Sequence, residues 1–216
     1  MSRHLVYFAH GEPARIPAYA AALVAARSVD IVLVRLEGRS SAYARLGEDL
    51  RDTDGRILPA LRRRFPAPEP DAAYSTLTLI TYSAGYALAR AILACPGDRE
   101  ALDALVAIDS IHADLVDGAA DAAQLAGFVA FAERARDGAK TFWLGHSDVR
   151  TDGYASTTQV AARLLELTGG ACCGFVVRAF NVRAGDPSEH RAALTEWGPG
   201  FVAEALFSGL FSRSEE

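Results

Sequence analysis

The sequence predicts an α/β fold, a mostly parallel sheet of about six strands with helices on both faces. Two observations carry that expectation. Strand-length apolar runs recur along the chain, and they are nearly continuous in apolar residues rather than alternating, as in strands covered on both sides. Alanine-rich stretches of helical periodicity fall between them, and a strand–helix–strand beat implies right-handed crossovers and a parallel sheet. With 216 residues, half of them apolar, the chain is long enough for one sizeable core, so a single domain over residues 1–216 is expected.

The elements follow in order. Strands are expected at "HLVYFA" (4–9), "DIVLVRL" (30–36), "TLTLITY" (76–82), "ALVAID" (104–109), "TFWLG" (141–145) and "GFVVRAF" (174–180). Helices are expected at 14–27, 56–65, 84–94, 121–137, 157–168 and 190–207. In "ILPALRRRFP", Leu58, Leu61 and Phe65 share one helical stripe, which makes Arg62, Arg63 and Arg64 a solvated face. The proline-rich "PAPEPDAAYS" (66–75) forbids helix and central strand alike and reads as a loop within the domain.

Charge and cysteine content narrow the function classes. A net charge of −5 argues against a nucleic-acid surface, which needs accumulated Lys and Arg. Cys95, Cys172 and Cys173 have no metal-ligand spacing and read as buried small apolar residues, which fits a reducing compartment. The first apolar run is too short for a secretion signal or a membrane span, so the expectation is a cytoplasmic protein without a membrane span. No Gly-rich phosphate loop follows any strand. Neither a cofactor nor a metal is expected, and the oligomeric state is left open.

In an open parallel sheet, ligands bind where strands end and helices begin. "LTLITYSAGYALARAIL" (77–93) places Ser83 at such a corner. On a sharp turn the hydroxyl is thrust clear of the backbone, beside the next amide N–H, which suits attack on a carbonyl. An ordinary helix N-cap is the bland alternative. The stretch Thr81-Tyr82-Ser83-Ala84-Gly85 resembles the Gly-x-Ser-x-Gly nucleophile elbow of the α/β-hydrolase superfamily, some lipases of which carry alanine or threonine at the first position.

That resemblance implies a minimal α/β-hydrolase fold, of the small, lid-poor esterase or lipase type, and a set of site residues. "AHGEP" (9–13) is similar to the family's oxyanion loop, with Glu12, or Gly11 in its place, and Ala84 supplying the two backbone donors and His10 in a structural role. His190, just after the last strand, matches the placement of the family's catalytic histidine. For the acid, Asp148 in "GHSD" (145–148) resembles the usual acid loop and is preferred, Asp109 at the end of "ALVAID" is the alternative, and Asp152 is a weaker candidate because "TDGY" reads as a turn. His112 either lines the same cleft or pairs with Asp109. Tyr82, Tyr86, Tyr154, Trp143 and Trp197 either edge the cleft or belong to the core.

The implied activity is a serine hydrolase that cleaves an ester, less readily an amide or thioester, through a Ser-His-Asp triad and an acyl-enzyme. Its partner would be an acyl substrate, small or polymeric, since the stretch 112–140 leaves room for one helix rather than a large lid. A catalytically silent binding protein of the same fold is the alternative.

Overall fold

A computed structural model describes residues 3–10, 29–36, 39–149, 151–180 and 187–209. Six parallel strands form one sheet: β1 (Arg3–His10), β2 (Val29–Arg35), β3 (Tyr74–Tyr82), β4 (Ala104–Ile108), β7 (Thr141–His146) and β8 (Phe175–Ala179). Their spatial order is β2-β1-β3-β4-β7-β8. Each expected strand is present, shifted at its ends by one or two residues. Two further short strands, β5 (Leu115–Val116) and β6 (Ala119–Ala120), pair as an antiparallel hairpin around the turn Asp117-Gly118, both at positive φ.

Side-chain alternation divides the core into two layers. Leu5, Tyr7, Leu79, Leu105, Ala107, Phe142 and Leu144 point to one face, and Val6, Phe8, Ile80, Tyr82, Val106 and Ile108 to the other. Both sets are buried, which is why the strand sequences show no polar beat.

On the first face lie α1 (Ser40–Asp49), α2 (Leu58–Arg64), α3 (Tyr86–Ala94), α5 (Ala122–Arg136) and α6 (Thr157–Thr168). The short α4 (Pro96–Ala101) joins α3 to β4. Helix α6 begins with a reciprocal capping box between Ser156 and Gln159 and ends at Gly169 in the left-handed conformation. In α2 the stripe is as expected, with Leu58 and Leu61 buried and the three arginines exposed. Its N-terminus is held from outside the helix: the fully buried Asp98 accepts from the Ile57 and Leu58 amides.

The second face is covered by the C-terminal helical segment, α7 (Pro187–Ala192), a π-helical turn (Ala193–Trp197) and α8 (Gly198–Gly209). Leu194, Phe201, Val202, Ala205 and Leu206 pack there against Trp143 and Phe180. Helices α1 and α4 were not expected from the sequence. The helix expected at 14–27 lies outside the described residues. Among the described residues, no helix is long and apolar enough to cross a membrane.

Candidate active site

The strand order reverses at β1 and β3, and their carboxyl ends open the crevice such sheets use for ligands. Tyr82, the last residue of β3, is extended (φ −131°, ψ 138°). The next residue, Ser83, is at φ +49°, a left-handed conformation that disfavours a side-chain-bearing residue by roughly 1–3 kcal/mol. A single 3-10 turn, Ser83–Gly85, then feeds α3. The strain is held from both sides. Ser110 Oγ donates to the Ser83 carbonyl at 3.2 Å, and Gly85 lies so close to β1 that a Cβ there would collide with the Ala9 carbonyl. Thr81, at the elbow's first small position, is fully buried in the sheet.

Asp109 follows β4 and also has positive φ, +44°. That turn sends its side chain inward, to 1% exposure. His190 Nδ1 lies 2.6 Å from Asp109 Oδ2. The same carboxylate accepts from Ser147 Oγ at 2.6 Å, from the Ser147 amide at 2.9 Å and from Thr157 Oγ1. Burial alone would raise the Asp109 carboxyl, but hydrogen bonds from His190, Ser147 and Thr157 hold it below its ordinary value. An ionised carboxylate only accepts, so Nδ1 of His190 donates and a neutral imidazole keeps Nε2 as an acceptor.

The structure thus pairs His190 with Asp109, the alternative acid, and not with Asp148, the preferred one. The reason is local. After β7, Ser147 turns inward and offers Asp109 both its amide and its hydroxyl, whereas Asp148 is exposed and, among the described residues, accepts from Thr158 Oγ1 at 3.2 Å. Ser147 and Thr157 were not anticipated. Their signal in the sequence is no stronger than that of any Ser or Thr near a helix start.

Tyr82 joins the two halves. Its ring stacks on that of His190 with centroids 4.8 Å apart and planes 20° from parallel. Its hydroxyl donates to the His190 carbonyl at 2.8 Å. The residue immediately before Ser83 thus clamps the histidine that Asp109 orients.

A cleft of about 640 Å³ opens beside Ser83 and Ala84. Tyr86 and Tyr154 line it, each meeting the His112 ring edge to face at 5.2 and 5.1 Å. His112 lines the cleft rather than pairing with Asp109, and burial lowers its pKa. Trp143 is core, and Trp197 is exposed at the end of the π-helical turn. Glu12 and the loop after β1 lie outside the described residues, as does the side chain of His10.

No protein-family model matches the sequence, and no curated protein matches it. Solved structures do. The product of gene lin2722 from Listeria innocua superposes with a TM-score of 0.55 at 13% identity, over 95% of this chain and 94% of that one. The esterase Pf2001 of Pyrococcus furiosus superposes with a TM-score of 0.53 at 14% identity, over 95% of this chain and 82% of that one. The fold is α/β-hydrolase-like. At such identity the similarity carries the architecture alone, and chemistry resides in the chain's own residues.

Proposed function

We propose that the chain is a serine hydrolase acting on carboxylic esters, with Ser83 as nucleophile, His190 as general base and Asp109 as the orienting acid. One observation carries this reading: a buried carboxylate–imidazole pair stands on the tyrosine that precedes a serine held in a strained strand-to-helix turn. An N-cap serine needs none of those features. The esterase fold of the Pyrococcus protein is in keeping with it.

In this mechanism Ser83 Oγ attacks the ester carbonyl while His190 Nε2 takes its proton. The imidazolium is stabilised by the ionised Asp109. Negative charge on the carbonyl oxygen is met by the Ala84 amide, at the start of the turn into α3, and by that of Glu12. His190 then protonates the departing alcohol and leaves an acyl-Ser83 ester. Water, deprotonated by His190, attacks that ester, releases the acid and restores the serine.

The test is reaction with a fluorophosphonate probe, followed by mapping of the modified residue. Modification at Ser83, lost in Ser83→Ala together with at least about three orders of magnitude of ester turnover, supports the reading. An unreactive Ser83 in folded protein would leave a catalytically silent binding protein of the same fold as the alternative.

A further inference from the structure

The described lining of the cleft beside Ser83 is polar rather than aliphatic. Among the described residues that line it, no aliphatic side chain is larger than alanine. Its walls instead carry two guanidinium groups, Arg39 and Arg90, two carboxylates, Asp114 and Asp152, and the amide of Gln124. The tyrosines and His112 complete it.

These groups are not all tied up with one another. Gln124 Nε2 donates to Asp114 Oδ2 at 2.6 Å, and the Asp114 amide donates to Gln124 Oε1 at 3.2 Å. Arg90 donates one nitrogen to the His112 carbonyl and lies over the Tyr86 ring. Among the described residues, its Nε is buried without a hydrogen-bond partner, and so is Nδ1 of His112. Arg39 and Asp152 are exposed at the rim.

An aliphatic chain laid in this cleft would strip water from guanidinium and carboxylate groups and return no hydrogen bond. A ligand with net charge of either sign would meet two like charges along with the two opposite ones. Hydroxyl groups avoid both problems, because each donates to a carboxylate and accepts from a guanidinium. At about 640 Å³, the space is also within the range of pockets that hold a whole small molecule rather than an acetyl group alone.

We propose that this cleft binds a neutral, hydroxyl-rich alcohol moiety, a sugar or polyol, and that the preferred substrate is a short-chain acyl ester of it. The inference rests on Ser83 being the nucleophile. Ser83 would take the short acyl group, and the polyol would leave as its free alcohol with the proton returned by His190. Arg39, Arg90, Asp114 and Asp152 would read the hydroxyl pattern, and the tyrosines would pack against the ring's C–H faces.

The test has three arms on the full chain. Turnover is measured on p-nitrophenyl acetate, butyrate, octanoate and palmitate, and acetate release is measured from an acetylated methyl glucoside. The expected kcat/KM falls at least about tenfold from acetate to octanoate, since each buried unpaired polar group weakens binding of the longer chain. Arg39→Leu and Asp152→Leu, both at exposed positions, should raise KM for the acetylated glucoside about fivefold or more while narrowing the penalty against octanoate. Calorimetric titration of Ser83→Ala with the acetylated glucoside should show binding. Preference for octanoate, or no binding of the glucoside ester to Ser83→Ala, overturns the proposal. If the fluorophosphonate still modifies Ser83 in that event, the hydrolase reading stands and only the substrate class falls. If Ser83 is unreactive and the glucoside ester still binds, the hydrolase reading falls and the cleft's specificity stands.

Discussion

Tyr82 holds His190 twice, by a ring stack with centroids 4.8 Å apart and by a hydroxyl-to-carbonyl hydrogen bond of 2.8 Å. Since Tyr82 is covalently the neighbour of Ser83, one residue links the strained turn to the imidazole. Tyr82→Phe should keep the stack and lose the bond. The expected result is a fall of about tenfold in kcat with KM little changed, because the proposed base and nucleophile lose alignment while the cleft stays intact. Tyr82→Leu, which loses both contacts, should fall further. Equal losses in kcat and thermal stability, with unchanged pH dependence, would mark Tyr82 as a core residue only.

The acid assignment makes a sharper prediction. Asp109→Asn should lower turnover by on the order of four decades, because an amide in place of the carboxylate favours the wrong imidazole tautomer. Asp148→Asn, at an exposed position where the carboxylate accepts from Thr158, should change turnover less than about twofold. Asp109 also accepts from Ser147 and Thr157, so circular dichroism must show that the Asn variant is folded. A crippled Asp148→Asn enzyme beside an active Asp109→Asn one would reverse the assignment.

These two residues also mark how far the sequence could be read. The strands were legible because both faces of each are buried and the apolar run is unbroken. The serine corner was legible because it needs a small residue at position 85. The choice between the two aspartates was not, since both stand after neighbouring strands and their side-chain directions depend on backbone turns. Positive φ at Asp109 and the inward turn of Ser147 place the Asp109 carboxylate against His190, and neither has a composition signature. Tyr82's clamp was hidden for another reason: a tyrosine after an apolar run reads equally well as core. Helix α1 has an apolar stripe of Tyr43 and Leu46, both buried, but Ser40, Gly47 and nearby charges blur it.

Acid stability should fall in two stages. His4, His112 and His146 all have pKa values lowered from 6.5, in each case chiefly by burial. Such groups favour the neutral folded state, so stability is full above about 6.5 and is lost as pH falls from there toward the depressed values. Asp109 has the same direction at lower pH. Its depressed pKa stabilises the fold above the ordinary value of 3.8, and that contribution disappears as pH drops through the folded value. Urea unfolding between pH 8 and 3 should therefore show a flat midpoint down to about 6.5 and a decline below it. His112→Gln should flatten the first stage. A midpoint that rises between pH 6.5 and 5 would contradict the burial of these histidines.

Gly85→Ala sets two effects against each other. Gly85 has φ −59° and ψ −20° and directly precedes α3, so alanine fits the backbone and on propensity alone would stabilise the helix start by up to about 1 kcal/mol. The added Cβ, however, would meet the Ala9 carbonyl. That atom belongs to β1, which pairs on one side with β2 and on the other with β3. It cannot retreat without disturbing the centre of the sheet, and overpacking of this kind typically costs about 1–3 kcal/mol. The collision should win, with a net loss of about 1–2 kcal/mol measured by urea titration. Activity should fall by more than the unfolded fraction explains. The displaced strand end leads into the segment proposed to supply one oxyanion donor, and the displaced turn carries Ser83 and the other donor, Ala84. A stabilised, fully active Gly85→Ala protein would show that β1 and the serine turn are not in the close contact on which the proposed site depends.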